Sequence, residues 1–202
     1  MKLLLFSDLH CNTSAAKCLV DHSAGVDVLI GAGDFATVRR DLHIAIDILK
    51  TSAKPAVLVP GNAESFEELR DACADWKDAH VLHGTKAEIN GVVFYGIGGG
   101  IPVTPFGAWS YDFTEDEGAA LLADCPSGCV LVTHSPPKGA VDVSSLGRSL
   151  GSTAIRAAIE AKQPRLAVCG HIHESGGREE WIGRTPVVNA GPRGIEWTLH
   201  PP

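Results

Sequence analysis

The stretch VDVLIGAGDFA, residues 26–36, carries an apolar run, Val28 to Ile30, into a glycine-bounded aspartate, Asp34. A strand with one wet face alternates apolar and polar residues; this one does not, so it reads as a strand buried on both faces. The same layout recurs along the chain, as KLLLFSDLH (2–10), PAVLVPGN (55–62), CVLVTHSPP (129–137) and RLAVCGHIH (165–173). Each is an apolar run that breaks abruptly into polar or glycine-rich sequence.

Segments with helical period separate these runs. In 37–50, Val38, Leu42, Ala45, Ile46 and Leu49 fall on one face, with Arg40, Asp47 and Lys50 away from it. Residues 64–74 place Phe66, Leu69 and Cys73 in the same way. Thr114 and Glu117 form a capping-box pattern ahead of Ala119 to Leu122, and a further helix runs from Ser152 to about Lys162, stopped by Pro164. Strands alternating with helices imply an α/β core. AEINGVVFYGIGGG (87–100) differs: Asn-Gly between apolar runs predicts a hairpin of Glu88–Ile89 with Val92–Tyr95. EEWIGRTPVVNAGPRGIEWTLH (179–200) reads as short antiparallel strands. The expected fold is therefore α/β, a two-layer mixed β-sandwich flanked by helices, in one domain over residues 1–202.

A hydrophobic content of 45% and a charged content of 20% are those of an ordinary globular chain. The formal charge of −7, with no basic block, argues against non-specific binding to nucleic acid or anionic membrane. MKLLLF is too short for a signal-peptide core and runs straight into SDLH, and no apolar run approaches spanning length. The six cysteines show no CxxC pair; they read as free thiols, and the location as cytoplasmic. Cys11, beside His10, reads as a small packing residue.

At the ends of the runs stand Asp8 and His10, Asp34, Asn62, His134, and His171 with His173. All offer oxygen or nitrogen to a borderline divalent metal, and the carboxyl ends of strands are where open α/β sheets bind ligands. Singly each is weak. Asp-x-His is more often a capped turn than a ligand pair, Asp34 can cap a helix starting near Thr37, and His134 can be a satisfied turn residue. The independent readings must hold at every strand end, whereas one shared site explains them together.

The ordered series DLH (8–10), GD (33–34), GN (61–62), TH (133–134) and GHIH (170–173) resembles that of the calcineurin-like metallophosphoesterases, across most of the chain. HSPPKG and NAGP also look like connections in the family's small prokaryotic branches. The resemblance implies two divalent ions, of Mn, Fe, Zn or Ni, that lower the pKa of a bridging water and clamp a small phosphate ester. It implies Asp8, His10 and His173 on one ion, Asn62, His134 and His171 on the other, and Asp34 between them. A phosphodiester is slightly preferred over a monoester.

One position departs from the family pattern. GNH followed by an acid is usual there, and its histidine assists the leaving group; here the string is GNAE, so Ala63 cannot act as an acid. Glu64 matches the family's structural acid. The alternative function is a non-catalytic metal-binding scaffold or interaction subunit on the same fold, but that branch has eroded ligands and all the positions are filled here. The HxHxDH pattern of lactamase-type dinuclear sites is absent. His22, His43, His80, His83 and His200 read as surface or packing residues. Lys138, Arg148 and Arg193 could meet phosphate or be solvated charges, and Phe106, Trp109 and Tyr111 could stack on a substrate ring or pack a lid.

Overall fold

The computed structural model describes residues 1–200. Two mixed sheets lie face to face with helices outside both, as expected. The first sheet holds β1 (Lys2–Phe6), β2 (Val28–Ala32), β3 (Ala56–Val59) and β4 (Ala79–Val81) in parallel, with β11 (Ile195–Thr198) antiparallel on the outer edge of β1. The second has the order β5 (Thr85–Ile89), β6 (Val92–Ile97), β7 (Val130–Thr133), β8 (Leu166–Cys169), β10 (Thr185–Asn189), β9 (Arg178–Ile182). In it β6, β7, β8 and β10 are parallel, and the edges β5 and β9 are antiparallel.

The uninterrupted apolar runs have a direct cause. In β1, Leu3 and Leu5 enter the layer between the sheets, against Phe94, Val130 and Val132, while Leu4 and Phe6 face the outer layer. That outer layer is closed by α1 (Thr13–His22), α2 (Leu42–Leu49) and α3 (Phe66–Ala72), through Leu19, Ile46 and Leu69. On the far side, α4 (Glu115–Leu122) and α5 (Thr153–Lys162) cover Tyr95, Leu131 and Val187 with Leu122, Ile155 and Ile159. Every central strand is thus buried on two faces, which is why its sequence does not alternate.

Several local expectations hold. The hairpin pairs Ile89 with Val92 across Asn90 and Gly91, both at positive φ as the tight turn requires. Thr114 and Glu117 close a capping box, and the helix expected from Ser152 runs Thr153–Lys162, with Ser152 as its cap through Ile155 N.

Two expectations need correction. The helix expected over 37–50 is only Leu42–Leu49, because Thr37 and Arg40 exchange backbone hydrogen bonds around a turn with Val38 and Arg39 at φ 49° and 63°. Val38 therefore leaves the core face and is exposed. The C-terminal strands are not one antiparallel set: β10 runs parallel to β8, and β11 crosses to the first sheet. No helix among the described residues is long and apolar enough to cross a membrane.

Candidate metal centre

The carboxyl ends of β1, β2, β3, β7 and β8 meet at one rim of the sandwich, and the loops leaving them carry all seven residues singled out above. Four of these, Asp8, His10, Asp34 and His171, hold left-handed backbone at φ 57°, 44°, 57° and 67°. That conformation is strained by ~1–2 kcal/mol per residue and is held by bonds from neighbouring loops. His10 N donates to Asp34 O at 2.9 Å, and Asp8 N to Gly33 O at 2.9 Å.

Close approach of these loops explains the glycine that precedes two of the motif residues. A Cβ on Gly61 would collide with the Asp34 carboxylate, and one on Gly170 would lie 2.6 Å from Asp8 Oδ2. Asn62 and His171 come near the aspartates only because the preceding residue has no side chain.

The donor atoms face one another. His10 Nε2 lies 3.1 Å from His173 Nε2 and 3.6 Å from Asp34 Oδ2, and His173 Nε2 lies 3.5 Å from Asp8 Oδ1. Asp8, His10, Asp34 and His173 together offer donor atoms within 4.8 Å of one another, a group that could hold a metal ion. On the other side, Asn62 Oδ1 is 3.0 Å from His171 Nδ1 and 3.2 Å from His134 Nε2, and the two imidazole nitrogens are 3.2 Å apart. Asp34 turns Oδ2 to the first group and Oδ1 to the second, 3.4 Å from His134 Nε2.

Outer contacts fix what each atom presents. His10 Nδ1 and His134 Nδ1 donate to the carbonyls of Ala36 (3.1 Å) and Ala32 (2.8 Å), so a neutral ring turns the lone pair of Nε2 inward. Asn62 Nδ2 donates to Ser110 Oγ at 3.1 Å, which turns its Oδ1 inward. With that ring neutral, His134 Nε2 and Asn62 Oδ1 are two acceptors facing each other with no proton to share. A cation relieves that arrangement, so the donor set fits divalent metal.

The charges point the same way. Burial pushes the Asp34 carboxyl up to about 7, aided by the Asp8 charge, against the pull of His10 and the Ala63 amide. Burial also raises Asp8, but the His173 contact, the His134 charge and the Ser7 hydroxyl outweigh it and hold it at about 2. Burial, reinforced by neighbouring His134, lowers His171 to about 3 and keeps the ring neutral. Negative charge and imidazole lone pairs gathered around two buried carboxylates make a strong demand for positive charge.

The remaining sequence candidates divide clearly. Glu64 is fully buried and accepts from Gly61 N (2.7 Å) and Ala36 N (2.9 Å), tying the GN loop to the GD loop. Asn62 does not start a helix; Ser65 caps α3. Asp34 caps none either, accepting instead from Ala63 N at 2.8 Å. Lys138 Nζ donates to Ser149 O at 2.6 Å, which commits it to its own loop. Arg193 lines a cavity of about 720 Å³ beside His10 and His173, whereas Phe106 and Trp109 line another of about 540 Å³ that also reaches those histidines. Tyr111 packs on His83 and Phe113 instead. The Thr37 hydroxyl points at the Cys11 thiol, 3.6 Å away, within the 37–41 turn.

Two supporting residues escaped the sequence reading. Ser110 holds Asn62 from a loop 48 residues away, with nothing in its surroundings to announce it. Asn189 donates from Nδ2 to the carbonyls of Gly170 and Ile172, both at 3.0 Å, and so holds the loop bearing His171 and His173. Its only signal was the NAGP string.

The whole described chain has matching relatives. Residues 1–201 match the calcineurin-like phosphoesterase superfamily domain. An uncharacterized protein of Methanocaldococcus jannaschii is 31% identical over 202 residues, covering 96% of this chain and 89% of that one. The crystal structure of TT1561 of Thermus thermophilus superposes with a TM-score of 0.76 at 18% identity, covering 98% of this chain and 99% of that one. A dimetal phosphatase from Danio rerio superposes with a TM-score of 0.64 at 11% identity, over 94% and 86%. At such identities the two structures show a common fold.

Proposed function

This chain belongs to the calcineurin-like phosphoesterase superfamily, and from that premise we propose that it hydrolyses a small phosphodiester at a dinuclear metal centre. Carrying the proposal is the convergence of oxygen and nitrogen donors from five strand ends, with the Asp34 carboxylate turned to both groups. Asp8, His10 and His173 would hold one ion, Asn62, His134 and His171 the other, and Asp34 would bridge. Imidazole, carboxylate and amide oxygen suit Mn, Fe, Zn or Ni. When bound, such a pair supplies a nucleophile by lowering the pKa of water, and countercharge for the phosphoryl oxygens.

The chain's own residues set the rest. The carbonyls of Ala32 and Ala36 keep two imidazoles in the ligating tautomer, and Ser110 and Asn189 fix Asn62 and the GHIH loop. Ala63 faces the smaller cavity with no proton to give, so the leaving group departs unassisted at that position. Space on both sides of the centre supports a diester, which has two ester groups to place. A single domain in a cytoplasmic setting belongs to the same proposal, supported by a core layer shared by both sheets and by free cysteines.

The test is metal analysis of the purified chain joined to assays on p-nitrophenyl phosphate and bis(p-nitrophenyl) phosphate. About two divalent ions per chain and faster turnover of the diester are expected. Metal-replete protein inert towards both esters would overturn the proposal and favour a scaffold.

A further inference from the structure

The cavity of about 540 Å³ above the centre has walls unlike its floor. The floor is the donor cluster with Ala63; the walls are Val38, Val103, Phe106, Trp109, Leu150 and Ile172. Val103 is 57% exposed, Phe106 51%, and Val38 and Leu150 46% each. These come from three separate segments of the chain, the 37–41 turn, the 101–110 loop and the 143–151 loop, yet they gather at one opening. Phe106 and Trp109 stack on each other, ring centres 5.5 Å apart and planes at 17°, which makes a flat apolar wall.

Val38 is a particular sign of placement. A β-branched residue at φ 49° is a genuine outlier, and this one buries nothing in the core. The turn accepts that strain while presenting an isopropyl group to the cavity.

Charge is distributed just as unevenly. Among the described residues the cavity wall carries no lysine or arginine, and its one carboxylate beyond the donor cluster is Glu174. The Thr104 hydroxyl is committed to Asp112 Oδ2 at 2.6 Å. A second phosphate or a charged group would find no countercharge there, whereas Arg193 stands in the glycine-walled cavity on the other side.

We infer that the substrate carries an apolar alkyl or aryl ester group, which fills this cavity while its phosphate sits on the centre. The inference rests on the phosphoesterase reading and narrows it, excluding a group with a second phosphate or another charge from this cavity. The volume is in the range of ~300–1,000 Å³ usual for small-molecule sites.

Binding rather than turnover tests it. Methyl-, butyl- and octylphosphonate carry the same head group, and calorimetric titration of the Mn²⁺-loaded full chain should show affinity rising with chain length. Burial of a methylene is worth up to about 0.8 kcal/mol, so roughly a two- to fourfold gain per methylene is expected, and at least about a hundredfold from methyl to octyl. The double variant V103N/L150N should flatten that gradient; both positions are exposed, so folding is spared. Leu146→Asn, exposed but outside the cavity, should keep it. A flat series in the wild-type chain, a gradient that survives V103N/L150N or is lost in L146N, or thymidine 5′-phosphate binding more tightly than octylphosphonate would overturn the inference. Because none of these readings needs hydrolysis, failure of the apolar site and failure of the phosphoesterase assignment are separately visible.

Discussion

Ala63 combines a structural and a chemical consequence in one methyl group. Its amide holds Asp34 Oδ1 at 2.8 Å, and its side chain looks into the apolar cavity. A general acid at this place would contribute ~10²–10⁴-fold to departure of a poor leaving group and little to departure of a good one. The wild-type rate should therefore fall steeply as leaving-group pKa rises. Ala63→His keeps the backbone amide and places an imidazole at the cavity floor, so it should raise turnover of alkyl esters about tenfold or more while leaving nitrophenyl esters nearly unchanged. The readout is the slope of log kcat against leaving-group pKa. An identical slope in both proteins would show that position 63 has no bearing on the leaving group.

Among the elements, the joint between α4 and α5 shows how one helix can cap another. Glu115, the first residue of α4, accepts from Thr153 N, Ala154 N and the Ser152 hydroxyl at the start of α5, at 2.7–3.0 Å. Partial burial raises its carboxyl, but those hydrogen bonds outweigh it and hold the pKa below the ordinary 4.5. With the folded value depressed, the stabilisation is present above pH 4.5 and is lost as pH falls through the folded value. Glu115→Gln should cost about 0.5–1 kcal/mol at pH 7, with the loss vanishing in acid, as thermal melts from pH 7 to pH 3 would record. A pH-independent loss would assign the effect to packing. The Thr114 capping box and the start of α5 near Ser152 were legible because helix starts are local chemistry, and so were the strand-end motifs, because all their members lie beside apolar runs. The 37–41 turn was not: Val38 continues the period of Leu42 and Leu49, and no Gly or Asn marks the positive φ. Nor was α1, whose buried residues are only Ala16 and Leu19, or β4, half-buried at a sheet edge. Ser110 and Asn189 act on residues outside their own elements through side-chain hydrogen bonds, one from Asn62 to Ser110 and several from Asn189, and such partners leave no periodicity to read.

Considered as a whole, the molecule has two sheets whose loops meet only with difficulty at the rim. Asp8, His10, Asp34 and Asn62 come from the first sheet, and His134, His171 and His173 from the second. Without cations, acceptor faces acceptor and two carboxylates are buried close together, so the rim works against the sandwich. Metal binding should therefore read as stability of the whole fold. Loading at a hundred times Kd stabilises by about 2.7 kcal/mol, and about 2–4 °C per kcal/mol for a chain of this size gives a Tm rise of roughly 5–10 °C, reversed by chelator. Ligating imidazoles must be neutral, so protons compete with metal and the increment should shrink as pH falls below the ordinary histidine value of ~6.5. Asp34→Asn separates this linkage from packing, since it keeps the shape of the side chain and removes the charge that faces both groups. The variant should match or exceed the wild type in Tm when both are metal-free, and lose most of the increment when both are loaded. An undiminished increment in D34N would mean that Asp34 does not join the two halves of the centre.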